Sequence, residues 1–236
     1  MKNLGEQTIG NIVAANYKTA FVFEQWGIDY CCGGKRKLDD VCAKMEINQH
    51  EVESAIFSAL ETAANEKKFN EMPTKELIEY IMVQHHLYIK MNMSVILGQL
   101  QKVANKHGQR YPNMVTVAKV FEEMQEELLF HLAKEEQVLF PILKELEVNP
   151  DGVSEQQRNF VNHPIAQMEH EHDHAGAQLK LLSNLTNGYS IPEDACTTFT
   201  VSLKALKEFE DKLHEHVHLE NNILFPRAGV TAMQSA

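Results

Sequence analysis

The chain has 236 residues, 44% of them hydrophobic and 23% charged, proportions that suit one or two globular domains with real cores. Lys and Arg number 22 against 33 Asp and Glu, and the resulting formal net charge of −11 repels phosphate backbones and anionic bilayers, which excludes nucleic acid and membrane surfaces as expected partners. No stretch approaches the roughly 20 apolar residues of a membrane span, and MKNLGEQTIGNIV lacks a cationic start followed by an apolar run, so the expected compartment is the cytoplasm.

Glycine and proline are sparse and apolar residues recur at helical spacing, which predicts an all-α chain without strands. Residues 1–64 read as a small helical domain, with short helices from Thr8 to about Ala64 broken at Gly27 and at Gly33-Gly34. The polar stretch 65–73 reads as a linker to a larger domain, 74–236. There, Thr74 caps a helix that ends at His107-Gly108, and Pro112 opens a second helix reaching Leu139. A third runs from about Ser154 to Leu185 and a fourth from about Pro192 to Leu224, with Phe140-Pro141 and Phe225-Pro226 expected to close their helices. Four long helices in succession predict an up-down-up-down bundle.

The segment HLAKEEQVLFP, His131 to Pro141, reappears as HVHLENNILFP, His216 to Pro226, with matching positions offset by 85. A single His with Glu four residues later is most often a surface pair. Two copies ending in the same Leu-Phe-Pro point instead to a duplicated helix pair. The duplication asks for one further histidine upstream of each copy, and His86 and His172 stand 45 and 44 residues before His131 and His216.

Residues spaced alternately three and four must face a bundle interior. The seams read Met82, His86, Ile89, Met93, Ile96, Leu100 and Val103 on the first helix, and Met114, Val117, Phe121, Met124, Leu128, His131, Glu135 and Val138 on the second. The third gives Val161, Ile165, Met168, His172, Ala175, Leu179 and Leu182, and the fourth Leu203, Leu206, Phe209, Leu213, His216, Glu220 and Ile223. His86, His131, Glu135, His172, His216 and Glu220 thus fall on otherwise apolar seams. Burying four imidazoles and two carboxylates without partners costs several kcal/mol per charge, so metal is the economical reading. Nitrogen and carboxylate donors without thiolates suit a pair of first-row ions, iron first and manganese second, over structural zinc.

The remaining histidines are set aside. His85 would share its seam with Asn92 and Gln99, and His170, His174, His214 and His218 lie two residues from a seam position, on the face expected to meet solvent. His107 lies 21 residues past His86, about 31 Å along a straight helix. His50 and His163 carry no functional pattern.

The four cysteines do not frame a disulfide scaffold, and neighbours such as Cys31 and Cys32 bridge only with strain. Two readings of this pair stay open. Gly33 and Gly34 fit a tight corner that the cysteines merely pack, while Lys35, Arg36 and Lys37 would favour thiolate and make the pair a soft iron ligand or redox couple. Cys42 and Cys196 read as packing residues.

Asp29-Tyr30-Cys31-Cys32-Gly33-Gly34, Met168-Glu169-His170-Glu171-His172-Asp173 and the two H-x-x-x-E segments closing in Leu-Phe-Pro together resemble the hemerythrin-like iron-sulfur cluster repair proteins, also called regulators of cell morphogenesis and nitric oxide signalling. The resemblance covers almost the whole chain. It implies a cytoplasmic homodimer that restores iron-sulfur clusters damaged by nitric oxide or peroxide, with damaged iron-sulfur proteins as partners and nitric oxide or oxygen as small ligands. It also implies two irons per chain, held by His86, His131, Glu135, His172, His216 and Glu220 with both glutamates bridging, and a part for Cys31 and Cys32 as a thiol relay. The family's Val-x-x-x-His-Gly ending appears as Val103 to Gly108, which keeps His107 a conditional candidate. Reduction of nitric oxide or oxygen at the centre, and oxygen or nitric oxide sensing or storage, are the competing functions; thiols favour repair over oxygen carriage. Ferritin-like storage is disfavoured because Glu-x-x-His is absent.

Overall fold

A computed structural model of the chain describes residues 4–61, 68–148 and 155–228. Among them the structure is helical, and the only extended pairing is an isolated antiparallel bridge between Thr8 and Lys37. The chain packs as two compact units whose boundaries fall inside long helices: one gathers Met1–Ile78, Leu146–Asn162 and Glu215–Ala236, the other Glu79–Glu145 and His163–His214.

The first unit begins with α1 (Ile9–Ala15), whose N-terminus is capped by the Thr8 hydroxyl accepting from Asn11 N–H, and α2 (Thr19–Gln25). Gly27, at φ 64°, turns the chain out of α2 into the Asp29–Gly34 loop, a conformation that costs a non-glycine residue. α3 (Leu38–Met45) and α4 (Gln49–Glu61) follow. Of the expected 65–73 linker, 65–67 lie outside the described residues. The rest is pinned within this unit: Phe69 is buried, Asn70 Nδ2 donates to the Ala14 carbonyl, and the Arg227 guanidinium donates to the carbonyls of Phe69 and Met72. Thr74 does not cap α5 (Thr74–Ile81) as expected. It is the first helical residue, and the carboxylate of Glu147 accepts from the N–H groups of Thr74 and Lys75, where the helix dipole favours a negative charge.

The second unit is the four-helix bundle. Its helices are α6 (Leu87–His107), α7 (Asn113–Lys134), α9 (Glu155–Leu185) and α10 (Thr197–Leu219), with α8 (Phe140–Val148) following α7 and the unit boundaries cutting α9 and α10. Phe121 of α7 meets Phe209 of α10 edge-to-face at 5.3 Å, Asn113 Nδ2 donates to the Leu185 carbonyl at the end of α9, and Gln101 of α6 donates to Glu122 of α7. Every seam residue predicted on α9 and α10 is buried. α10 starts at Thr197 rather than Pro192, and the predicted start of the third helix at Ser154 lies outside the described residues.

The seams fail at two positions, both beside a departure from α geometry. Met82–His86, Glu135–Leu139 and Glu220–Leu224 are π-helical turns, closed by bonds from the N–H of Leu87, Phe140 and Phe225 to the carbonyls of Met82, Glu135 and Glu220. Each such turn accommodates one residue more than an α turn and so moves the inward face by one position. Val138, predicted inside, is 49% exposed while Leu139 is 1% exposed; Met82 is only half-buried while Ile81 is fully buried. Nor do the two prolines stop their helices. Pro141 and Pro226 each stand directly after a π turn, as the second residue of α8 and of α11 (Phe225–Arg227), where the widened turn accommodates a residue without an N–H.

Candidate metal centre

The π turns coincide with expected ligands: His86 ends the first, Glu135 begins the second and Glu220 begins the third. Such turns recur at functional sites because they re-aim a side chain without ending the helix.

Within the bundle unit, His86, His131, Glu135 and His172 are buried and converge. The Glu135 carboxylate stands 3.2 Å from His131 Nε2, 3.5 Å from His86 Nε2 and 3.9 Å from His172 Nε2, and neither of its oxygens accepts a hydrogen bond of normal geometry. His131 Nε2 and His172 Nε2 face each other at 2.9 Å. Burial alone would raise the Glu135 pKa, but His131, with His86 and His172 beside it, holds the carboxyl at about 2. An ionised, fully buried carboxylate ringed by imidazole nitrogens is the donor set a hard-to-borderline cation requires, so these residues fit a metal.

The rings are aimed by carboxylates on their far sides. His86 Nδ1 donates to Glu136 Oε1 at 2.8 Å, and Glu136 is held by Lys90 at 2.6 Å. His131 Nδ1 donates to Glu171 Oε2 at 2.8 Å, and Glu171 is held by Lys134 and by Gln167. With Nδ1 donating to the outer carboxylate, each ring turns its Nε2 to the centre, where a bound cation would take the place of any Nε2 proton, the usual arrangement for a metal-ligating histidine. Glu136 and Glu171 went unnoticed in the sequence. Their signal was adjacency: Glu136 follows Glu135 and Glu171 precedes His172, about 100° around each helix and hence toward a neighbouring helix.

The other two expected ligands, His216 and Glu220, belong to the first unit. Both are buried, with His216 Nε2 3.2 Å from Glu220 Oε2. The outer face of this segment overturns an expectation: His218 is buried, not solvent-facing. Its ring packs against Tyr30 at 5.7 Å and Tyr17 at 6.0 Å, and Asn222 Nδ2 approaches its Nδ1 at 3.3 Å. Burial pushes its pKa down to about 4 against the Tyr30 carbonyl, which favours the proton. Asn222 also donates to the carbonyl of Cys31 at 3.0 Å, and added Cβ atoms at Gly10 and Gly34 would come within 2.2 and 2.4 Å of its Oδ1. The segment has no solvent side because the Asp29–Gly34 loop covers it.

His85 is likewise buried rather than a polar flank. Its Nδ1 lies 3.2 Å from the Lys212 carbonyl, its ring meets Tyr80, and burial, aided by the Lys212 charge, takes its pKa to about 3. His170 and His174 are exposed as expected, and His214 is half-buried. His107 stays at the far end of the unbroken α6, with Nε2 3.3 Å from Cys196 Sγ. All four cysteines are outside disulfides. The basic run does not favour thiolate at Cys31: the hydrogen bond to Cys32 and burial raise its pKa well above the ordinary value, while Lys35, Arg36 and Lys37 are exposed.

The hemerythrin HHE cation binding domain matches residues 77–228, and a domain of unknown function, DUF542, matches residues 5–64. The iron-sulfur cluster repair proteins YtfE of Citrobacter koseri and of Escherichia coli O81 are each 33% identical to the chain over 223 residues, 94% of this chain and 96% of theirs. No helix among the described residues is long and apolar enough to cross a membrane. The buried His/Glu cluster within the hemerythrin match marks a non-haem iron site, and the chain belongs to the hemerythrin-domain family of iron-sulfur cluster repair proteins.

Proposed function

We propose that the chain repairs iron-sulfur clusters damaged by nitrosative or oxidative stress by supplying iron, and that His86, His131, Glu135 and His172 share one dinuclear centre with His216 and Glu220. The observation that carries the reading is the Glu135 carboxylate, fully buried within 3.2 to 3.9 Å of three imidazole nitrogens in a chain whose relatives are named for cluster repair. The second H-x-x-x-E copy supports it, since His216 and Glu220 repeat the spacing and burial of His131 and Glu135. When bound, the irons supply the transferable metal and any chemistry with nitric oxide or oxygen. Glu135 and Glu220 would hold the irons through their carboxylates, Glu136 and Glu171 hold the His86 and His131 rings in register, and the apolar seams keep bulk water from the donors.

Metal analysis of the purified chain should find about two irons bound through nitrogen and oxygen, and zinc in place of iron on those nitrogen and oxygen donors would overturn the assignment. In a purified reconstitution of a nitric-oxide-damaged iron-sulfur enzyme, the Cys31→Ala, Cys32→Ala variant should keep its iron and visible spectrum but restore less activity, because transfer to a sulfur-rich client goes through a soft donor. Full repair by that variant would remove the relay, and loss of its iron would make the cysteines ligands of the resting centre. The homodimer belongs to the same reading and is checked by light scattering.

A further inference from the structure

The Asp29–Gly34 loop holds a second set of donors that the bundle does not use. Cys31 Sγ and Cys32 Sγ stand 3.9 Å apart, and Cys31 Sγ donates to Asp29 Oδ1 at 3.3 Å. One donor atom from each of the three residues lies within 4.8 Å of the others. We propose that Asp29, Cys31 and Cys32 form a three-donor site for a thiophilic divalent cation, zinc or ferrous iron, with the fourth tetrahedral position open.

Two thiolates at about 2.3 Å from a tetrahedral ion stand about 3.8 Å apart, and a carboxylate oxygen at about 2.1 Å stands about 3.6 Å from either sulfur. Without a cation the loop holds the two sulfurs 3.9 Å apart and Cys31 Sγ 3.3 Å from the Asp29 carboxylate, near those separations. It does so through Asp29, whose Oδ1 accepts from the N–H groups of Cys31 and Cys32 at 3.0 Å each and whose Oδ2 accepts from Gly33 N–H at 2.9 Å. These three N–H groups offset part of the negative charge the loaded site would gather. Cys31 is buried while Cys32 is half-exposed and Asp29 exposed, which opens the fourth position to solvent or to a donor from a client protein.

Loading replaces the two thiol protons by the metal: one divalent cation enters, two S–H bonds break, two metal–sulfur bonds form and two protons leave to solvent. No oxidation is involved. The site does not rest on the repair function, because its occupancy is read apart from the bundle's iron and from reconstitution.

The test is titration of the full chain with cobalt(II). The expected result is one equivalent giving a thiolate-to-cobalt charge-transfer band and tetrahedral visible absorption, with two protons released. Cys31→Ser with Cys32→Ser should abolish the band, Asp29→Asn should weaken binding, and Cys42→Ser should change nothing, with bundle iron content unchanged throughout as the folding control. Absence of the band, its survival in the double variant, or unaltered affinity in Asp29→Asn would overturn the site. Should a variant fail the folding control, X-ray absorption of the zinc-loaded parent decides: two sulfurs with light-atom neighbours support the site, and fewer than two sulfurs sink it.

Discussion

The two H-x-x-x-E-x-x-x-L-F-P copies are one sequence device set against two surroundings. In the first, Glu136 follows the buried glutamate and is gripped by His86 and Lys90 near the surface. In the second, Asn221 stands at that place, and the outer positions His218 and Asn222 are roofed by Tyr30 and the Cys31 carbonyl. Both keep the His–Glu spacing of four and both enter a π turn at the glutamate. The inward face is therefore set by the repeat, and the outward face by whatever packs on it.

Breaking what the copies share should have the largest effect. Glu135→Ala or Glu220→Ala should lose most of the iron by metal analysis, whereas His170→Ala and His174→Ala should retain it; equal losses would mean that the helix register is wrong. Breaking what sets the first copy apart comes next. Glu136→Gln or Glu171→Gln should weaken iron about 10- to 100-fold in a chelator competition, since each leaves a ligand ring unaimed. Asn222→Ala should not, because its amide serves the Cys31 and Tyr30 carbonyls. On the second copy, His218→Ala should cost roughly 1–3 kcal/mol in denaturant unfolding of the metal-free chain while exposed His174→Ala stays within about 0.5 kcal/mol. Similar values for the two would remove the distinction between roofed and open faces.

The smallest effect is in pH. His218 and His85 stay neutral in the fold down to about 4 and about 3, whereas unfolded imidazoles titrate near about 6.5. Unfolding therefore takes up protons below about 6.5, so stability falls as the pH drops through that value, and the His218 share stops growing near 4. The metal-free His218→Ala variant should show a shallower fall over this range than its parent; an identical slope would assign the acid sensitivity elsewhere.

Most of the bundle was legible because apolar periodicity reports burial, and α9, which has no π turn, matches its predicted seam from Val161 to Leu182. The errors at Val138 and Met82 come from turns with no local signature, since an i→i+5 bond is chosen by what the helix must aim at rather than by propensity. His85 and His218 were misjudged for another reason. Helical spacing separates faces but does not say which faces stay open, and the cover on His218 comes from residues far away in sequence. Glu136 and Glu171 offered only their adjacency to ligands as a signal, because pairing a ligand's outer nitrogen with a carboxylate needs the neighbouring helix in place.

The wedge of Asn222 between Gly10 and Gly34 also bears on how the chain is made. Its amide bonds the Tyr30 carbonyl across 192 positions of sequence, and the unit containing both is assembled from the two ends of the chain. Contacts of such separation bear the loop-closure entropy of everything between them and form late. On a ribosome, residues 4–61 would emerge with the inner surface of the cysteine loop bare and wait for most of the protein to be synthesised before Asn222 arrived to seal it. Throughout that interval Cys31 would be open to oxidants from which the finished protein shelters it.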